Sequence, residues 1–258
     1  MMSVLQQNPR LFTTSTDPVP ALVDRTLVAN RQDEALQAMN IDVADDAMYG
    51  FIQGGVQGWY QALTDKPVVI SKSRTWTTLY HLFPESKYIA MVRDIRDVID
   101  SFERLNSKVK ALHSYDGKGN LTPGMAVHEK YAHYFTTPNA FSGAYTIEMP
   151  RLVEHANNGL RDILFIRYED LITDPERQIA RVYKFLGEEP FEHDLENIEQ
   201  PSMFEHDGAY FRERTSHKVE GSLKGRTLPN REGNKELMDM IVKQNIPYYE
   251  MFYPEVLA

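Results

Sequence analysis

Cysteine is absent from all 258 residues. Its absence excludes disulfide frameworks, thiolate-ligated zinc and thiol nucleophiles, and suits a reducing cytoplasm. No apolar run approaches the roughly 18 residues of a membrane span, and Met1–Arg10 lacks the basic-then-apolar build of a secretion signal. These features imply a soluble, unexported, cytoplasmic protein. Basic side chains are in deficit: 28 Lys and Arg stand against 37 Asp and Glu, a net charge of −9. That argues against nucleic acid as a partner and means that any anionic ligand must be met by a local cluster. Internal repeats and biased tracts are missing too, so solenoids and long disordered linkers drop out. The eight histidines never form H-E-x-x-H, and His128 and His133 are five apart, off the face on which two ligands share a metal. No metal is expected.

What is present reads as a globular chain. Its length and a composition of 42% hydrophobic and 25% charged residues fit one domain over 1–258 with a full core. Met2–Gln7 reads as helix, stopped at Asn8-Pro9 because the residue before proline is pushed out of the α region. Helical periodicity covers Val19–Met39 and Ala44–Leu63, the second through Met48, Phe51, Ile52, Val56, Trp59 and Tyr60. Three short apolar runs, Pro67–Ile70, Tyr88–Val92 and Ile163–Ile166, have the pattern of strands buried on both faces of a parallel sheet. Helices are predicted over Asp94–Lys110, over Pro175–Leu186 with Gly187 as the stop, and over Glu236–Gln244. Strands alternating with helices make βαβ units, hence an α/β fold with a mostly parallel sheet. Gly208–Lys235 has no apolar period and carries seven Lys or Arg against three Glu, a basic surface loop in an acidic protein. The aromatic tail Tyr248–Tyr253 is expected to pack back on the domain.

In open α/β sheets ligands bind beyond the carboxyl ends of the strands. There the chain has Ser71-Lys72-Ser73-Arg74, Arg93-Asp94-Ile95-Arg96-Asp97 and Arg167-Tyr168-Glu169-Asp170. These supply cationic donors and helix N-termini, as a phosphate or sulfate requires. Read without reference to any relative, Asp94 is equally a helix N-cap, Asp97 a partner of the helix dipole and Arg93 a solvated cation.

The segment from Val92 to Phe102, with an arginine ending a strand and a serine eight residues on, resembles the 3′-phosphate-binding segment of sulfotransferases that use 3′-phosphoadenosine 5′-phosphosulfate (PAPS). Phe165–Leu171, Asp174-Pro175 and Phe185-Leu186-Gly187 are similar to the family's late strand and following helix. Val68–Trp76 is similar to the strand and loop that carry its catalytic lysine. The resemblance implies a three-layer α/β/α sandwich of the P-loop NTPase-like kind. It assigns Arg93 and Ser101 to the 3′-phosphate, Tyr168 to the adenine and Lys72 to the transferred group. Thr215, Lys224 and Arg226 of the basic loop are further donors to the 3′-phosphate. The reaction it implies is in-line transfer of a sulfuryl group from PAPS to an acceptor hydroxyl (sugar, lipid, small alcohol or tyrosine), releasing adenosine 3′,5′-bisphosphate.

Two departures bear on activity. Cytosolic members have a histidine base two residues after the lysine, where this chain has Arg74, which cannot accept a proton at neutral pH. Leu5–Leu11 with Thr13–Asp17 resembles the stretch where tyrosylprotein sulfotransferases carry an acidic base, and Asp17 is the candidate here, although an aspartate before Pro18 is also a standard N-cap. The family's opening loop, approximately P-R-S-G-[ST]-T, is not found, and Met1–Pro9 looks like the helix that follows it. The expectation is a chain that starts one element late: a late-assigned start, a fragment, or a member that binds nucleotide or a partner without catalysis. Another strand or a neighbouring chain is then expected at the exposed sheet edge. A nucleotide kinase shares the architecture but needs a G-K-[ST] loop that is not present.

Overall fold

The computed structural model describes residues 1–14, 17–30, 32–72, 82–108, 126–135, 149–159, 162–199, 221–223, 231 and 234–258. The chain divides into two compact units. One comprises Met1–Ser86, Phe191–His206 and His217–Ser222, the other Lys87–Pro190, Asp207–Ser216 and Leu223–Ala258.

In the first unit, helix α1 (Met2–Leu5) is followed by strand β1 (Leu11–Thr14), helices α2 (Val19–Asn30), α3 (Glu34–Gln37) and α4 (Ile41–Leu63), and strand β2 (Val68–Ser71). The two strands pair parallel, from Leu11 beside Val68 to Thr14 beside Ser71. β1 is not among the expected strands. Half of its four residues are threonines, so it lacks the apolar run that marks the others, yet β-branched side chains suit a paired strand. The helix expected over Val19–Met39 is broken in two. The Asp33 carboxylate accepts from Ala35 N at 2.9 Å and Leu36 N at 3.1 Å, starting a new helix where the apolar period alone would continue the old one. Asn40 caps α4 in the same way, from Asp42 N at 3.0 Å, which moves its start ahead of the expected Ala44. Val19 and Val23 of α2 pack on Ile52 and Val56 of α4, one turn apart on each helix, with Leu82 and the flanking Met48 and Tyr60.

In the second unit, strand β3 (Tyr88–Val92) leads to α5 (Ile95–Lys108), α6 (Val127–Phe135) and α7 (Met149–Asn157). Strand β4 (Ile163–Arg167) then leads to α8 (Tyr168–Thr173) and α9 (Pro175–Leu186). Neither α6 nor α7 is among the expected helices. β3 and β4 pair parallel with Val92 beside Arg167, so the residues that follow, Arg93 and Tyr168, leave the pair side by side. α9 runs as predicted: Asp174 caps it, Pro175 opens it, and Gly187 ends it in the left-handed region at φ 78°. The Lys87 ammonium donates to the carbonyls of Phe185 and Leu186 at 2.8 and 3.1 Å, serving acceptors that the helix end leaves open.

The chain closes with α10 (Lys235–Gln244), α11 (Ile246–Phe252) and a 3-10 turn, Pro254–Val256. Their Leu237, Met238, Ile241, Tyr248, Tyr249 and Phe252 form one core with Val92, Ile95 and Ile99. The aromatic tail therefore packs back as expected, as a helix. α/β character with parallel strands joined through helices holds in both units. Most of the basic loop lies outside the described residues. Among the described residues no helix is long and apolar enough to cross a membrane.

Candidate functional site

In the second unit the chemistry gathers at the carboxyl end of β3. The Arg93 guanidinium lies over the Tyr168 ring, 4.6 Å from its centroid. Its Nε is buried and has no hydrogen-bond partner among the described residues. Backbone groups around it are held firmly: the Arg93 carbonyl accepts from Tyr248 OH at 2.9 Å, and Asp94 N donates to Glu169 Oε1 at 3.2 Å. Glu169 Oε2 in turn accepts from Tyr253 OH at 2.9 Å.

Asp94, only 2% exposed, heads α5 as its cap. Its Oδ1 accepts from Arg96 N at 2.9 Å and from Tyr249 OH at 3.0 Å; its Oδ2 accepts from Arg96 Nη2 at 2.6 Å and Arg231 Nη2 at 2.8 Å. Arg231 Nε also donates to the buried Asp97 carboxylate. Burial by itself would push the Asp94 carboxyl up. The Arg96 hydrogen bond and charge, with the Arg231 charge, outweigh it and hold the group below the usual aspartate range. Burial, reinforced by the charge of Asp94, pushes the Tyr249 phenol well up; burial and Glu169 do the same to Tyr253, so both stay protonated donors. Arg167, at the end of β4, stacks over the Tyr253 ring at 4.2 Å and pairs with Glu255.

In the first unit the corresponding strand ends carry a carboxylate among hydroxyls. Asp17 Oδ1 accepts from Val19 N at 2.9 Å, the capping bond of α2. Its Oδ2 accepts from the hydroxyls of Tyr60 and Ser71, and from Thr14 Oγ1 at 3.4 Å. Burial, then the bond to Asp17, pushes the Tyr60 phenol up, so it too remains a donor. Thr14 Oγ1 accepts from Lys72 N at 3.2 Å, which ties the lysine's backbone to the cluster while its side chain is exposed.

The predicted residues fall as follows. Arg93 and Tyr168 meet directly. Ser101 is exposed on α5, roughly 9 Å along the axis from Ile95 at 1.5 Å per residue, and no hydrogen bond joins it to Arg93 among the described residues. Lys72 and Asp17 share the Thr14 hydroxyl, one through its backbone and the other through its carboxylate. Thr215, Lys224, Arg226 and Arg74 lie outside the described residues. Sequence reasoning missed the groups that support these side chains: Tyr60, Ser71 and Thr14 around Asp17, and Tyr248, Tyr249, Tyr253, Glu169 and Arg231 around Arg93 and Asp94. The one available signal was that the C-terminal aromatic run is built of tyrosine, whose hydroxyls need partners once buried.

Among solved structures, a sulfotransferase domain from the curacin biosynthetic pathway is similar at 17% identity, over 83% of this chain and 77% of that chain, with a TM-score of 0.44. A sulfotransferase domain from the Synechococcus PCC 7002 olefin synthase is similar at 18% identity, over 83% of this chain and 73% of that chain, with a TM-score of 0.40. The sequence also matches the family described as the sulfotransferase domain over residues 5–224. That match takes in both strand pairs and every residue just placed at their ends except Arg231, the C-terminal tyrosines and Glu255. Covering well over half of the sequence, it settles the family: this chain belongs to the sulfotransferases.

Proposed function

We propose that the chain transfers a sulfuryl group from PAPS to the hydroxyl of an acceptor and releases adenosine 3′,5′-bisphosphate. Family membership supports sulfuryl transfer as the reaction class. One observation above all supports the donor: the Arg93 guanidinium lies on the Tyr168 ring while its buried Nε has no hydrogen-bond partner among the described residues. A planar cation held against an aromatic face, with a donor unused where water does not reach, suits a phosphate oxygen beside a purine. In this reading Arg93 and Ser101 take the 3′-phosphate, Tyr168 lies by the adenine, and Thr215, Lys224 and Arg226 add donors. The chain acts as one domain in the cytoplasm, and no metal takes part.

The donor brings an activated sulfuryl group. The acceptor oxygen bonds to sulfur as the sulfur–oxygen bond to the 5′-phosphate breaks, in line. Lys72 stabilises the charge that grows on the departing oxygen. Asp17 takes the acceptor's proton, and to do so its Oδ2 exchanges one of its three hydroxyl donors for the acceptor's hydroxyl.

Those same bonds favour a second reading, a binder of nucleotide without turnover, because Asp17 already has both oxygens engaged in capping and hydroxyl contacts. Calorimetric titration with adenosine 3′,5′-bisphosphate tests the first claim. Arg93→Ala weakens binding by about 1.5–3 kcal/mol, the range for a hydrogen bond to a charged group; unchanged affinity removes the donor assignment. A radiolabelled sulfuryl-transfer assay on the same protein separates enzyme from binder. Lys72→Ala lowers turnover far more than affinity, and equal losses in both show that its role is misassigned.

A further inference from the structure

We infer that the C-terminal segment Tyr248–Tyr253, helix α11 with the residue that ends it, is a positioning element for Arg93, acting through the hydroxyls of Tyr248 and Tyr253. The inference rests on the reading of Arg93 as the phosphate-binding cation. It goes beyond that reading because these tyrosines lie outside residues 5–224, the span matched by the family.

An arginine at a strand end is a poor ligand unless the backbone that carries it is fixed, since its long side chain already has many rotamers to lose. Here the peptide group that joins Arg93 to Asp94 is gripped at both ends. Its carbonyl accepts from Tyr248 OH at 2.9 Å, and its N–H donates to Glu169 Oε1 at 3.2 Å. Glu169 does not hold that bond alone, because its other oxygen accepts from Tyr253 OH at 2.9 Å. Both phenols are 2% exposed. One short segment of chain therefore holds both sides of a single peptide, directly at the carbonyl and through a carboxylate at the N–H. Tyr249, between them in sequence, donates to the Asp94 carboxylate at 3.0 Å.

The same contacts set the partner of Arg93. Glu169 follows Tyr168, so its bond to Asp94 N locks the end of β4 to the end of β3, one residue from where the guanidinium meets the Tyr168 ring. Packing does not require any of this. Phenylalanine would fill the same space in the core shared with Val92, Ile95 and Ile99, so the hydroxyls carry information that burial does not. Tyr248 and Tyr253 are positioning residues: neither hydroxyl is offered to the ligand, and each acts through the Arg93–Asp94 peptide.

The test is a double-mutant cycle read by adenosine 3′,5′-bisphosphate affinity on the full chain, with thermal unfolding followed in parallel. Tyr248→Phe is expected to weaken binding about fivefold to tenfold, the equivalent of one neutral hydrogen bond. Combined with Arg93→Ala it is expected to cause no further loss, because no guanidinium remains to be aimed. A merely structural role would lower the unfolding temperature equally in both backgrounds and leave affinity alone, or reduce affinity equally in both. Either pattern overturns the inference. Tyr253→Phe, which acts through Glu169, gives the same readout if Tyr248→Phe fails to fold, and wild-type affinity there overturns it too. Failure of wild-type protein to bind the nucleotide, or wild-type affinity in Arg93→Ala, sinks the phosphate reading itself and is thereby distinguished from failure of the positioning role.

Discussion

Each compact unit ends a parallel strand pair beside an aspartate that caps the next helix, but the two aspartates are held by different chemistry. Asp17 is half-buried and accepts from three hydroxyls. Asp94 is fully buried and is bound by two guanidinium groups and a phenol. Hydroxyls solvate a charge without cancelling it, whereas guanidinium groups do both. Asp94 and Asp97 together are balanced by Arg96 and Arg231, and among the described residues no ion pair joins a carboxylate to Arg93, whose guanidinium is turned to an aromatic face. The first unit thus sets its carboxylate among hydroxyls, and the second sets a guanidinium on an aromatic ring beside a carboxylate paired with two other guanidinium groups.

The sharpest way to break that contrast is to delete each carboxylate. Asp94→Ala strands Arg96 and Arg231 beside a buried site. Because these are 18% and 38% exposed and can turn partly to water, the expected loss is about 3 kcal/mol, the low end for a broken buried pair. Denaturant unfolding measures it. The pH dependence follows from the same bonds. The folded Asp94 group titrates below its unfolded value of about 3.9, so its contribution is complete above that value. It is then lost as pH falls through the lower folded value. Asp94→Asn should flatten the acid limb of stability against pH; an unchanged limb would mean that the guanidinium pairs contribute nothing.

Asp17→Ala is the smaller change. It removes a cap, worth about 1 kcal/mol, and leaves three hydroxyls to find other acceptors, for a total near 2 kcal/mol. Should it cost as much as Asp94→Ala, the distinction between hydroxyl and guanidinium binding has no energetic content.

The same contrast explains what was legible in the sequence. Strands β3 and β4 announce themselves by apolar runs, and α9 by Asp174-Pro175 at one end and Gly187 at the other, because those signals are local. The meeting of Arg93 and Tyr168 is nearly as legible, since two strands paired with Val92 beside Arg167 deliver their next residues side by side. β1 was not legible, because its stability as a strand comes from pairing with Val68–Ser71 rather than from its own apolarity. Nor was the break after α2, where the Asp33 cap interrupts a period that the apolar residues carry on. The support around each aspartate was hidden for a third reason. A buried run such as Tyr248–Tyr253 reads as core from its rings alone, and which acceptor each hydroxyl reaches depends on elements some 80 to 155 positions away in the chain.

The smallest effect probes the stiffness of the helix that brings Tyr60 to Asp17. α4 carries glycine at positions 50, 54, 55 and 58, and beyond the helix's own backbone a methyl group added at any of them would meet nothing within 4 Å among the described residues. Such residues weaken a helix because they lose the most backbone freedom on folding and bury no side chain in return. The helices of the second unit that flank its strand pair, α5 and α9, contain none. Gly58→Ala, two residues before Tyr60, is therefore expected to raise stability by about 0.5–1 kcal/mol, the difference between glycine and alanine in an exposed helix. It should also slow hydrogen exchange of the α4 amides while leaving those of α5 and α9 unchanged. A loss of stability would mean that the outer face of α4 is approached closely enough to need glycine. Slowed exchange in α5 and α9 would mean that the weakness lies in the whole chain rather than in this one helix.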